Sequence, residues 1–188
     1  MAVHPIVFLP DPVLRQKAKR VPKPALSAAE GIDASIHRLI EDMMESMYAA
    51  NGVGLAAPQI GVSLRVIVIG LPDEEPFALI NPEIVKRSGE RILEEGCLSI
   101  PGYRTESLVR SVNVVAKGIA PTGKPVRIKA KDDLLAEALE HEIDHINGIL
   151  YIDHLESMDQ LVRLDDEGDA DEEPEAEVNA TAQSGGRS

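Results

Sequence analysis

Ile36, Leu39, Ile40, Met43 and Met47 recur three and four residues apart, with polar residues between them. That spacing gathers the apolar side chains on one stripe and predicts an amphipathic helix of about three to four turns. Asn51-Gly52 closes it. Upstream, Ser27-Ala28-Ala29-Glu30 has the form of a capping box and is the expected start, although Gly31 weakens that boundary. The period then changes. Residues 64–70 form a strongly β-branched run, and 77–80 a shorter one before Asn81-Pro82. Residues 112–117 and 125–129 flank the turn Pro121-Thr122-Gly123, so all four runs read as strands. Asp132-Asp133 caps a second helix running to about Asn147-Gly148, and a short third helix is expected over 155–164.

No internal repeat is visible, and helices and strands are segregated rather than alternating. The expected fold is therefore a single α+β domain over 1–164, with mixed, largely antiparallel sheet segments packed around the second helix. Residues 1–25 are Pro-rich and expected to run extended over the surface.

Composition narrows the class. With no Trp, two Phe and three Tyr, the core must be aliphatic, and a stacking platform for single-stranded nucleic acid is excluded. The net charge of −13 is uneven: residues 165–188 carry nine acids and one Arg, leaving −5 (18 basic, 23 acidic) for 1–164. The low pI mostly describes an acidic tail, which has almost no large apolar side chain and is expected to be disordered. The charge balance argues against a nucleic-acid-binding role, and no DNA partner is expected. The longest apolar stretch, 66–71, is too short to span a bilayer, and the start has no basic n-region. A cytoplasmic protein is expected, in which the single Cys97 stays reduced.

His141-Glu142-Ile143-Asp144-His145 carries the chemistry. On a helix, residues at i and i+4 share a face, so both imidazoles can reach one divalent ion. Glu142 projects roughly 100° around the helix, where it can touch an activated water without being a ligand. The motif alone is only moderately specific, and it lacks a third ligand. One metalloprotease pattern continues with Gly and then a third His; Gly148 is in place, but Tyr151 stands where that His belongs. Glu156 is too close to serve as a downstream carboxylate, and His154 lies beyond the Gly148 break. The remaining soft donor is Cys97, in Glu94-Glu95-Gly96-Cys97-Leu98-Ser99-Ile100-Pro101. A thiolate there gives a Cys-His-His site with one position open, the mark of a catalytic centre. The plainer alternative for a lone Cys is a small buried hydrophobe.

Read together, Gly52-Val53-Gly54-Leu55-Ala56-Ala57-Pro58-Gln59, Glu95-Gly96-Cys97-Leu98-Ser99 and the His141–His145 stretch resemble the three signature motifs of the peptide deformylases. The order is the family's, and the resemblance covers roughly residues 5–160. It implies hydrolysis of the N-terminal formyl group of formyl-methionyl nascent peptides, with release of formate. It implies one divalent ion held by Cys97, His141 and His145: Fe2+ in vivo, replaceable by Zn2+, Ni2+ or Co2+. Glu142 would carry the proton, and the Leu98 backbone N–H and the Gln59 amide would hold the oxyanion.

Gly52, Val53 and Gly54 would let an extended peptide approach the backbone. Leu134 and Ala138, seven and three residues before His141, would line a methionine pocket with Val53. Arg104 resembles a family position near that pocket's mouth, and a solvated surface Arg is the equal alternative. Glu95 and Asp144 would orient ligands, with Arg110 as a partner for Asp144. Met43 and Met47 are read as core, and His4 and His37 as ordinary surface residues. Glu140 stands where many relatives carry Gln and should point away from the metal. Some relatives dock on the ribosome through a basic extension; here the −8 tail opposes that mode, leaving at most transient association. Two other readings remain: a catalytically silent relative that binds peptide N-termini, and a zinc endopeptidase using His154.

Overall fold

The computed structural model describes residues 2–27 and 31–164. In chain order the elements begin with β1 (Leu26–Ser27), β2 (Gly31–Ile32), α1 (Ala34–Ala49), β3 (Gly54–Ala56), β4 (Val66–Ile69) and β5 (Phe77–Ser88). They continue with β6 (Arg91–Cys97), β7 (Ile100–Arg110), β8 (Asn113–Ile119), β9 (Pro125–Lys131), α2 (Leu134–His145) and β10 (Leu161–Arg163). Five strands form one sheet in the order β3-β4-β5-β8-β9, three form another as β10-β7-β6, and β1 pairs with β2. All of these named pairings are antiparallel.

All four residues of β4 are fully buried, and their alternation builds the layers. Successive side chains leave a strand on opposite faces. Val66 and Val68 pack in one apolar cluster with Met43 and Met47 of α1. Ile67 and Ile69 pack in a second with Leu139 and Ile143 of α2. A strand covered on both sides has no solvent face to fill, which is why 66–69 contains no polar residue. Met43 and Met47 are completely buried, as their spacing predicts, and His37 is exposed. His4 is half-buried, with its backbone N–H bonded to the Ser46 hydroxyl.

Three expectations are corrected in detail. α1 is capped by Asp33, whose carboxylate accepts from the Ser35 N–H at 2.7 Å. Ser27 belongs to β1, and Ala28–Glu30 of the expected capping box lie outside the described residues. α2 starts at the Asp133 cap, which accepts from the Ala136 N–H at 2.7 Å, and ends at His145, two residues short of Asn147. Residues 155–164 are not an α-helix. They form a short 3-10 turn over Met158–Gln160 and then β10, which pairs with Tyr103–Thr105 of β7. The Ser157 hydroxyl caps that turn by accepting from the Asp159 N–H, and the edge of β7 offers the following residues ladder hydrogen bonds.

The sheets pack around α2 in one α+β domain, as the segregated pattern implies. Among the described residues no helix is long and apolar enough to cross a membrane. The acidic stretch 165–188 lies outside the described residues.

Candidate active site

α2 places His141 and His145 one turn apart, with their Nε2 atoms 3.1 Å from each other. Cys97 comes from the last position of β6. Its strand pairing shifts register between Gly96 and Cys97, an irregularity of the kind that re-aims a side chain. The thiol sulfur stands 3.2 Å from His145 Nε2. All three donor atoms lie within 4.8 Å of one another. Donors sharing one tetrahedral ion at its usual bond lengths stand roughly 3.3–3.7 Å apart, so this cluster fits a divalent ion with soft ligands.

Charge points the same way. Burial opposes a proton on His141, but hydrogen bonds to Cys97 and Glu95, and then the nearby charges of Cys97 and Glu142, hold its pKa well above the ordinary value. The surroundings favour positive charge at this point. His145 is held well below its ordinary value by burial and by the charge of His141. It is therefore the neutral imidazole that a metal ligand must be.

Behind the three clustered donors sits a buried ion-pair chain. Glu95 Oε1 meets His141 Nδ1 at 2.5 Å, which leaves Nε2 facing the cluster. Arg110 donates to both Glu95 oxygens, at 2.9 and 2.7 Å, and to Asp144 at 2.7 Å. Burial alone would raise the Glu95 carboxyl, but the bonds from Arg110 and His141 bring it down to about 2. The Asp144 side chain has no bond to Cys97, His141 or His145 among the described residues. Its partners are Arg110 and His154, the latter at 2.8 Å, so any orienting role passes through Arg110 and Glu95. His154 is thus engaged in this chain and is not one of the clustered donors.

Glu142 is almost fully buried, and its Oε2 has no hydrogen-bond partner. Burial pushes its carboxyl up to about 7, against the opposing charge of His141. Gly54 makes room for it: a Cβ on Gly54 would stand 2.5 Å from Glu142 Oε1. Gln59 follows β3 on a 3-10 turn, Ala57–Ile60. Its Oε1 accepts from the Ala56 N–H at 2.8 Å, and that bond fixes which way the amide faces. Nε2 then points at Cys97 Sγ, 3.8 Å away, and at the Ser99 hydroxyl, 3.4 Å away. Leu98 lies between Cys97 and Ser99 at the turn joining β6 to β7.

A cavity of about 480 Å³ opens in front of this group. Gly52, Val53, Gly54, Leu134, Ala138 and Arg104 all line it, together with Gln59, Leu98, His141 and Glu142. Arg104 is no free surface residue: it pairs with Glu94, and with Glu106 at 3.0 Å. Glu140 points away from the cluster. It accepts from the Ser111 N–H at 2.9 Å and pairs with Arg87 at 2.9 Å.

Sequence reasoning missed three neighbours. Ser99 is fully buried beside the sulfur, with its N–H 3.4 Å from Sγ. Tyr151, weighed only as a failed ligand, is buried with its hydroxyl on the Tyr103 carbonyl at 3.3 Å. Glu137 lines the cavity one turn before His141. Of the three, only Glu137 had a legible signal, its four-residue spacing from His141.

Comparison with known proteins agrees with this geometry. The family model described as polypeptide deformylase matches residues 3–161. A peptide deformylase of Dehalococcoides mccartyi strain CBDB1 is 54% identical over 176 residues, covering 93% of this chain and 98% of that one. One from Halothermothrix orenii is 46% identical over 168 residues, covering 89% and 99%. The crystal structure of a peptide deformylase from Legionella pneumophila superposes with a TM-score of 0.75 at 46% identity, covering 85% of this chain and 89% of that one. A Synechococcus elongatus peptide deformylase in complex with actinonin gives 0.75 at 38% identity, covering 84% and 81%. The chain belongs to the polypeptide deformylase family.

Proposed function

We infer that this chain removes the N-terminal formyl group from formyl-methionyl peptides and releases formate. The observation that carries the reading is the convergence of Cys97, His141 and His145, with the Glu142 carboxylate beside them and the Gln59 amide opposite. The relatives' names supply the substrate class.

A divalent ion bound to these three residues supplies Lewis acidity, which favours deprotonation of water near neutral pH and polarises a carbonyl. The protein does the rest. Glu142 takes the proton of the attacking water and hands it to the departing amine. Gln59 Nε2 and the Leu98 N–H donate to the oxygen on which negative charge develops. Gln59 is suited to this because Ala56 holds its other end fixed. Val53, Leu134 and Ala138 offer the methionine side chain apolar surface, and Gly52 and Gly54 let the peptide backbone come close. Arg110, through Glu95, keeps His141 in the tautomer that presents Nε2. Asp144 braces Arg110.

The resident ion is proposed to be Fe2+, with Zn2+, Ni2+ or Co2+ able to replace it. Zn2+ binds such donor sets more tightly in general, so metal analysis after anaerobic purification decides between them. The setting is the cytoplasm, with the nascent chain as substrate and only transient contact with the ribosome.

The test is formate release from a formyl-methionyl tripeptide by metal-loaded protein. Release is expected from the wild type and lost in Glu142→Ala. No release, or undiminished release by the variant, refutes the reading. Cys97→Ala should lose stoichiometric metal, and retention of it would remove Cys97 from the ligand set.

A further inference from the structure

Two arginines are buried among the described residues, and their surroundings differ. Arg110 answers two carboxylates, Glu95 and Asp144. Arg65, 5% exposed, pairs with no carboxylate among the described residues. Its Nη1 donates to the Ile146 carbonyl at 3.1 Å and to Asn147 Oδ1 at 2.8 Å, and its Nη2 to the Pro82 carbonyl at 3.0 Å. The Nε–H is buried without an acceptor. Those three bonds tie the end of α2 to β5, which explains the fork but leaves its charge unanswered. The carbonyl end of a helix supplies only about half a unit of negative charge. Burial and the charge of Arg20 work against the cation, and Glu83 offsets them only in part.

Arg65 lines a second cavity, of about 450 Å³, which shares no residue with the catalytic one. α2 contributes Ile143 to it, two residues and about 200° around the helix from His141. Lys17, Arg20 and Arg87 line the same cavity, against a single carboxylate, Glu83. Four cations and one carboxylate give a local net charge of +3 in a chain of −13. Glu83 is already shared between Arg20 at 2.7 Å and Lys117 at 3.0 Å, and Arg87 pairs with Glu140 at 2.9 Å. Lys17 is exposed and has no ion pair among the described residues. A buried guanidinium without a counter-ion, sharing an open cavity with an unpaired ammonium, is the arrangement of an anion site.

We propose that this second cavity binds a small phosphate-bearing anion, with Arg65 as the buried countercharge and Lys17 as the exposed donor that reaches the ligand. A phosphomonoester carries about −1.5 to −2 charge at neutral pH and presents three acceptor oxygens. It can therefore meet several cations at once, where a carboxylate brings one charge and two oxygens. The cavity volume falls in the range of small-molecule sites, about 300–1,000 Å³, so inorganic phosphate or a phosphomonoester can enter. A nucleic-acid strand would have to lie on a body that is net negative outside this cavity.

The test is calorimetric titration of the Ni2+-loaded chain with inorganic phosphate at fixed ionic strength, with acetate as the monoanion control. Phosphate should bind roughly tenfold more tightly than acetate. Lys17→Gln should weaken phosphate binding about 3- to 10-fold, and Lys17→Glu by more. Formate release should stay at the wild-type rate in both, which shows that fold and metal are intact. Lys17 is chosen because Arg65→Gln would also break the bonds to Ile146 and Pro82. Glycerol phosphate binding more tightly than inorganic phosphate identifies a phosphomonoester as the ligand, and the reverse order identifies the free ion; either supports the site. Equal phosphate affinity in wild type and Lys17→Glu puts the ion elsewhere, on the bound metal for instance, and overturns the proposal. So does failure of both phosphates to bind, even if a short RNA oligonucleotide does. Because the two cavities are separate, such a failure leaves the deformylase reading standing.

Discussion

Arg110 holds Glu95 through two N–H···O bonds, of 2.9 and 2.7 Å, and both side chains are almost completely buried. Removing one partner from such a pair strands the other's charge in the interior. Arg110→Ala also strands Asp144, and is expected to cost about 3–5 kcal/mol of stability. Glu95→Gln keeps the shape but takes the anionic acceptor from His141 Nδ1. Chelator competition should then show metal affinity falling about 10- to 100-fold, with a much smaller change in the denaturation midpoint. Equal losses of stability and affinity in both variants would mean that the pair only holds the fold together.

Gly54→Ala separates catalysis from folding. The new Cβ would meet Glu142 Oε1 at 2.5 Å, with Cδ and Cγ at 3.0 Å. The far end of a side chain can swing away, so the fold and the metal should survive. The base would be displaced, and kcat should fall about 100-fold or more. Metal content and urea midpoint measured beside kcat check this, and a variant with normal kcat would show that Glu142 has room to spare.

These two sites differ in how far the sequence revealed them. His141, Glu142 and His145 were legible from helical spacing and Cys97 as the remaining soft donor, whereas Gln59 entered only through the resemblance of its motif. Arg110 was visible only as a partner for Asp144, since its grip on Glu95 depends on how β6 pairs with β7. That hairpin escaped pattern reading because Glu94, Glu95, Arg104, Glu106 and Arg110 break the apolar alternation. In β4 the pattern was plain because both faces are covered. The error over 155–164 has a similar root. A short apolar run followed a capped turn, and only the edge of β7 decided that it would be a strand.

Glu83 should contribute a measurable pH dependence. Its carboxyl lies below the usual value, first through Arg20, bonded at 2.7 Å, and then through Lys117 at 3.0 Å. A lowered folded pKa means stability that is present above the unfolded value of about 4.5 and is lost as pH falls through the folded one. The group is more than a third exposed, so the contribution is discounted to about 0.5 kcal/mol. Urea midpoints of wild type and Glu83→Gln should differ by that amount at neutral pH and low salt, and converge in acid. A gap that widens toward low pH would contradict the assignment.

Gly148 ends the helix that carries both histidines. Its N–H bonds the His145 carbonyl and the Ile149 N–H bonds the Asp144 carbonyl, both at 3.0 Å. This is the Schellman arrangement, with the left-handed residue at φ +76°. Two costs follow for any side chain here. The left-handed backbone penalises a Cβ by about 1–2 kcal/mol, and the Cβ would stand 2.7 Å from the Arg15 carbonyl oxygen. That neighbour is backbone and cannot rotate out of the way, so overpacking adds about 1–3 kcal/mol. Gly148→Ala should therefore lose about 2–5 kcal/mol in urea denaturation at an unchanged slope. Gly148→Asn tells the two costs apart, because Asn tolerates the left-handed region but carries the same Cβ. If the contact with Arg15 dominates, Asn will be no better than Ala. If Asn recovers most of the loss, the backbone conformation is the larger cost and the Arg15 segment gives way.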